Sequence, residues 1–222
     1  MNPFNLPSST VVDKVVPKNA FDSYASSKQK RLLSQMVSKI VWKNKLSTET
    51  LNLPYEEVRE IQIFNLEMKQ KEYPAELIQL IDKSIPYPII FIVTHQEECV
   101  LSTSVKHHNP INPDNAIVDW HYKTDWFSLL EFNYSLDLRK NLDFIFLAFC
   151  KSLNASEKLL PSRDLNEMVD NSKALAKFDK EILQLERAIS KEMQFNRKVE
   201  MNLELNNLLK KRDGLLNGSK EY

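Results

Sequence analysis

Glycine is almost missing from this chain: of 222 residues only Gly214 and Gly218 are glycine, both close to the C-terminus. Glycine lets a backbone enter left-handed conformations and lets a main chain approach a ligand with no Cβ in the way. A body built without it holds no G-x-x-x-x-G-K-[S/T] loop, no G-x-G-x-x-G turn and no G-x-S-x-G elbow. Each of those devices needs bare backbone against a phosphate or at a strained turn. Nucleotide hydrolysis, dinucleotide redox chemistry and esterase chemistry of the common kinds are thereby set aside.

The apolar pattern then divides the chain. Residues 1–25, with Pro3, Pro7 and Pro17, read as an irregular arm with at most short helical turns. "SSKQKRLLSQMVSK" reads as a helix opened by Ser26 and Gln29 at capping-box spacing. "IVWKNKL" (40–46) and "VREIQIFNLEMK" (58–69) read as strands, and "PAELIQLIDKSI" (74–85) as a helix with proline at its start. "YPIIFIVT" has the unbroken apolar run of a buried strand, and "HQEE" turns it into "CVLSTSVK" (99–106). "AIVDWHYKT" (116–124) alternates as a further strand, and residues 135–153 carry helical spacing. The expected fold is α+β: a mixed sheet of about five strands flanked by helices in residues 1–160. "NASEKLLPSRD" reads as a hinge, and residues 161–222 as a helical appendage capped by Asp164 and Glu167.

That appendage changes its apolar face midway. Leu175, Phe178, Ile182, Leu185 and Ile189 form a seam at spacings of 3 and 4. Continued onward, the same frame meets Glu192, Asn196, Val199, Leu203, Asn206, Lys210 and Asp213, five of the seven polar, and the seam ends. A second seam, Met201, Leu205, Leu208 and Leu215 with Arg212 as its polar member, is offset by two residues. In one continuous helix the two stripes would lie on nearly opposite faces. A helical hairpin (antiparallel coiled coil) bent at Met193–Arg197 brings them together, with Asn196 as cap of the second helix and Phe195 plugging the closed end; the alternative is one straight helix that changes packing partner midway. Gly214 would end that helix. Such a narrow stripe does not stabilise two helices alone in water. The hairpin must therefore dock on its own body or on a partner, and Leu203, Leu209 and Leu216 are the apolar residues left for a partner. A second copy of the chain is the alternative occupant.

Net charge is zero overall but +5 over residues 1–50, −7 over 51–150 and +2 over 151–222. Lys28, Lys30, Arg31, Lys39, Lys43 and Lys45 make the basic segment, a candidate DNA-tracking face for weak binding. A solvated helix face is its plainer reading. The apolar run near residues 87–93 is too short to span a bilayer, and the N-terminus lacks the regions of a secretory signal. Cys99 and Cys150 sit in apolar segments, as small hydrophobes do in a reducing compartment. The cytoplasm is the expected location.

The sharpest catalytic candidate is Glu67-x-Lys69, side by side on one strand face. A carboxylate holding Mg²⁺ beside a lysine is the logic of restriction-type nucleases. Such a site also needs an acid on the preceding strand, and residues 40–66 contain no Asp. A charged strand end is the plainer reading. His95, His107, His108 and His121, with Asp114 and Asp119, lack metal-ligand spacing and read as surface histidines. "LSTSVK" (101–106) offers hydroxyls and a lysine to a phosphate, or simply a solvated hairpin face. No cofactor and no metal are expected.

Several stretches carry a likeness. "MNPFNLPSSTVVDKVVPKNAFD", "VREIQIFNLEMK", "PIIFIVTHQEECVLSTSVK", "VDWHYKTDWF" and "KEMQFNRKVEMNLEL", in this order, resemble the bacterial domain-of-unknown-function family 4391. The family supplies no catalytic motif. The resemblance implies genes for a restriction-type helicase and an adenine DNA methyltransferase as neighbours. It thereby implies an accessory subunit of a restriction-modification-like or anti-phage system, with one of those proteins as partner.

Overall fold

The computed structural model describes residues 3–111, 115–154 and 161–217. The chain falls into two compact units, a body at Met1–Asn154 and a hairpin at Ala155–Tyr222. Residues 155–160 of the expected hinge lie outside the described residues.

The body is a mixed sheet in the order β1 (Val11–Val15), β2 (Val37–Ser47), β3 (Glu60–Met68), β4 (Ile89–His95), β5 (Glu98–His108) and β6 (Ala116–Lys123). A two-residue strand, β7 (Phe127–Ser128), pairs with β5. Helix α1 (Ser27–Met36) precedes β2, the short α2 (Thr48–Leu51) follows it, α3 (Ala75–Ser84) joins β3 to β4, and α4 (Leu142–Leu153) closes the body. All pairings are antiparallel except β3–β4, whose parallel register requires the crossover through α3. Among the described residues the sheet thus has seven strands where about five were expected. The additions are β7, too short for periodicity, and β1, an edge strand whose Val11 and Val15 stay exposed, so that "VVDKV" shows no one-sided pattern.

One sheet face buries Phe64, Leu66, Phe91 and Val93 against Leu33 of α1 and Leu77, Ile78 and Ile81 of α3. The other face carries Ile63 and Ile92, above which Phe4 of the N-terminal arm meets Phe149 of α4 edge-on at 5.9 Å between centroids. Helix α1 opens with the expected reciprocal cap, Ser26 Oγ accepting from the Gln29 N–H while Gln29 Oε1 accepts from the Ser26 N–H. It ends at Met36, three residues early, because Val37 already pairs with Met68 in the sheet. Helix α4 also starts late, at Leu142, where Asn141 accepts from the Phe144 N–H.

The lack of glycine is met by other residues. Asn5, Asp13, Asn52 and Gln96 take φ of 49°, 49°, 54° and 53°. Asn52 ends α2, Asp13 sits where the β1–β2 register shifts, and Gln96 starts the two-residue turn between β4 and β5. Asn and Asp enter this region most readily among residues with a Cβ.

In the second unit, α5 (Leu165–Lys191) and α6 (Phe195–Leu216) pack against one another. The bend is Glu192–Gln194, one residue ahead of the expected Met193–Arg197 and shorter. No glycine or proline is needed, because the Glu192 carboxylate accepts from the N–H groups of Met193 and Gln194 at 2.8 and 2.9 Å. Those bonds, the Gln194 one foremost, hold Glu192 below the usual carboxylate range. Gln194, not Asn196, is the residue before α6, and Phe195 points outward instead of plugging the end. Gly214 lies inside α6, which runs on to Leu216.

Candidate functional site

The hairpin's two faces are unequal. Ile182 is buried in the seam, and Leu175, Phe178, Leu185, Ile189, Met201, Leu205, Leu208 and Leu215 are half-buried. Arg212, the polar member of the second seam, reaches Asp179 of α5 at 3.6 Å. On the far side of α6, Phe195, Val199 and Leu203 follow one another four residues apart, one stripe along the helix. All three are exposed, Phe195 at 78% and Leu203 at 61%, and Met193 stands out at the bend. Of the residues expected to meet a partner, Leu203 belongs to this outer stripe. Leu209 and Leu216 are half-buried along the flank of the seam.

In the body, Glu67, the last residue but one of β3, lines a recess of about 370 Å³ together with Ile63, Asn65, Ile92 and Thr94. Its cross-strand neighbour on β2 is Lys39 and on β4 Thr94, so neither adjoining strand sets an acid opposite it. Lys69 lies past the strand end, and its amine donates to the Ser34 carbonyl at 2.8 Å. Among the described residues no cluster of three or more His, Cys, Asp or Glu is placed to hold a metal ion.

Most of the basic segment is engaged within the body. Lys28 pairs with Glu76 at 2.9 Å, Lys30 with Asp22 at 3.4 Å, Lys43 with Asp13 at 2.7 Å and Lys45 with Glu60 at 2.9 Å. Arg31 and Lys39 are exposed with no acidic partner among the described residues. These pairs compete with a phosphate backbone for the same amines.

The densest polar chemistry lies where the sequence suggested solvent. Ser102, Thr103 and Ser104 of "LSTSVK" are buried, and the Lys106 side chain is fully enclosed. The Lys106 amine donates to Asp82 Oδ1 and to the main-chain oxygens of Asp82 and Ile85, at 2.7, 2.7 and 2.8 Å. Three hydrogens meet three acceptors, so the lysine both pairs a buried carboxylate and caps the end of α3. Burial draws its amine below the ordinary lysine value, and Asp82 opposes that.

Beside this pair, His121 is no surface histidine. Its Nε2 lies 2.7 Å from the Tyr73 hydroxyl and its Nδ1 2.9 Å from Ser104 Oγ. Burial lowers its pKa, so the ring is neutral near pH 7, and burial raises the Tyr73 phenol, which keeps its proton. His107 is exposed and bonds Asp119 at 2.7 Å, and His95 bonds the Met68 carbonyl. The His108 side chain and Asp114 lie outside the described part. The overlooked residue is Asp82. Its signal was an acid on the inner face of "PAELIQLIDKSI", four residues after Ile78 and next to Ile81.

Among the described residues no helix is long and apolar enough to cross a membrane. The family model described as domain of unknown function (DUF4391) matches residues 4–211. No curated protein matches the chain. No solved structure matches it.

Proposed function

The chain belongs to the domain-of-unknown-function family DUF4391, and from that premise we propose a cytoplasmic, non-catalytic accessory subunit that docks a protein partner through its C-terminal hairpin. The setting in this reading is a bacterial restriction-modification-like or anti-phage system, and the partner is its helicase or DNA methyltransferase. One observation carries the docking role. Phe195, Val199 and Leu203 form an exposed apolar stripe on the face of α6 turned away from its seam, with Met193 exposed at the bend. Large apolar side chains lined up on one helix face are what a helix-in-groove contact uses. Each one buried by a partner contributes about 1.5–3 kcal/mol. The charged residues of the basic segment add little to this, since most are already paired.

Co-purification of the tagged chain with the neighbouring helicase and methyltransferase tests the reading. The double substitution Phe195→Ser with Leu203→Ser lies on the outer face and leaves the seam intact. It should weaken capture about tenfold or more, from the loss of two buried apolar groups. Full-strength capture by that variant refutes hairpin docking. Mg²⁺-dependent DNA cleavage by the purified chain, abolished by Glu67→Ala, replaces the reading with the nuclease one.

A further inference from the structure

Among the described residues the strands of the sheet carry the carboxylates Asp13, Glu60, Glu67, Glu98 and Asp119, and the fold pairs all but one of them. Asp13 meets Lys43 at 2.7 Å, Glu60 meets Lys45 at 2.9 Å, Glu98 meets Lys71 at 2.6 Å and Asp119 bonds His107 at 2.7 Å. Glu67 is the exception. It is exposed and makes no ion pair or hydrogen bond with any described residue. A cation stands within reach, since Lys39 is its register partner on β2, at the spacing of about 5 Å between neighbouring strands. Lys39 is exposed as well, and its amine does not pair with the carboxylate.

Glu67 also differs from the other four in where it stands, because it lines the recess of about 370 Å³. That volume lies within the roughly 300–1,000 Å³ of small-molecule clefts. Phe4, Ile63, Ile92 and Leu129 supply the apolar part of the lining. Several polar side chains beside them are already committed. Thr94, the register partner of Glu67 on β4, donates from Oγ1 to Asn65 Oδ1 at 3.3 Å. Asn44 donates to Thr10 Oγ1 at 2.9 Å, and the Lys43 amine is held by Asp13. Gln96 is neutral. The recess thus offers one uncompensated charge, negative and open to solvent, beside an apolar surface.

We infer that this recess binds a small organic cation, a primary ammonium carried on a short arm by an apolar ring. The ammonium donates to the Glu67 carboxylate, and the ring lies against the apolar lining. The charged hydrogen bond sets the ligand's direction, and removal of the ring from water supplies the rest of its affinity. An anion is disfavoured by the same carboxylate. Lys39 has no bond to this carboxylate that a ligand must break. The site is independent of docking through the hairpin.

The test is an NMR titration of the full chain with phenethylamine, with 2-phenylethanol and phenylacetate as neutral and anionic controls of similar shape. Phenethylamine should move the Ile92 and Thr94 signals saturably at millimolar concentration. The alcohol should bind about five- to tenfold more weakly, for want of the charged hydrogen bond, and the acid should not bind. Glu67→Gln, at an exposed position that no fold contact uses, should weaken phenethylamine by the same factor and bring it level with the alcohol. Leu129→Trp, filling the recess, should abolish binding. Absence of any saturable shift, equal binding of the alcohol or the acid, or undiminished binding to Glu67→Gln or to Leu129→Trp each overturns the inference.

Discussion

In the body, the Lys106–Asp82 ion pair has both side chains at 0% exposure, whereas in the hairpin the Arg212 and Asp179 side chains are 31% and 63% exposed. Both are cation–carboxylate pairs, yet they do different jobs. The enclosed pair must be complete, because a lone charge there has no water to turn to. The hairpin pair is solvated whether or not it forms, and its attraction is screened. The same contrast runs through the apolar groups. The body seals Phe91, Phe146, Ile61 and Ile63 almost entirely from water, while no residue of α6 is buried. The body closes a sealed core around such residues, whereas α6 has only its half-buried seam and leaves Phe195, Val199 and Leu203 exposed in one stripe.

The sharpest way to break this comparison is Lys106→Ala. Removing one member of a buried pair should destabilise the body by about 3–5 kcal/mol, read in a denaturant titration. A cost under about 1 kcal/mol would mean that water reaches Asp82 and that the contrast is false.

Leu205→Ala comes next. It removes a half-buried seam residue, with an expected cost of about 1–3 kcal/mol. Hydrogen exchange should accelerate in α5 and α6 and stay unchanged in β3 and β4. Acceleration across the sheet would show the two units unfolding as one.

A smaller effect belongs to the body's surface. The Asp143 carboxylate accepts from the N–H groups of Glu56, Glu57 and Val58 at 2.7, 3.0 and 2.9 Å, clasping the loop before β3 to the start of α4. Burial by itself would raise its pKa, but these three bonds outweigh burial and hold it below the ordinary value. A lowered folded-state pKa gives stability that is present above the unfolded value, about 3.9, and lost as pH falls through the folded one. Asp143→Asn should cost about 1–2 kcal/mol at pH 7. The gap from wild type should close as the pH drops below about 4; a gap independent of pH would assign the cost to shape and not to charge.

Least of all is Arg212→Ala, expected to cost under about 1 kcal/mol, with the difference vanishing in high salt.

How much could be read beforehand differs between the same two regions. In the hairpin, the two seams, their offset and the pairing they imply were visible because helical contacts are local and repeat every three or four residues. What escaped was the bend, since Glu192 closes it with a side chain whose role depends on where the next two N–H groups fall. In the body, the central strands and α3 were legible from their apolar runs. The edge strand β1 was not, because an exposed strand shows no burial pattern. Ser102, Ser104, Lys106 and His121 looked like surface residues, since polarity is the usual mark of solvent.

Residue order alone reveals where glycine-dependent chemistry is missing, where the core strands run and that the C-terminal segment carries two apolar stripes. Those follow from composition and short periods along the chain. Only the tertiary structure decided that β5 and β6 are covered by α3, which turns hydroxyls, a lysine and a histidine into an enclosed network around Asp82. It also decided that the basic segment spends most of its charge on acids such as Asp13, Glu60 and Glu76. The physical reason is the same in both cases. Whether a polar group faces water, a partner or a ligand is set by residues distant in sequence that arrive beside it only on folding, and no local pattern records their arrival.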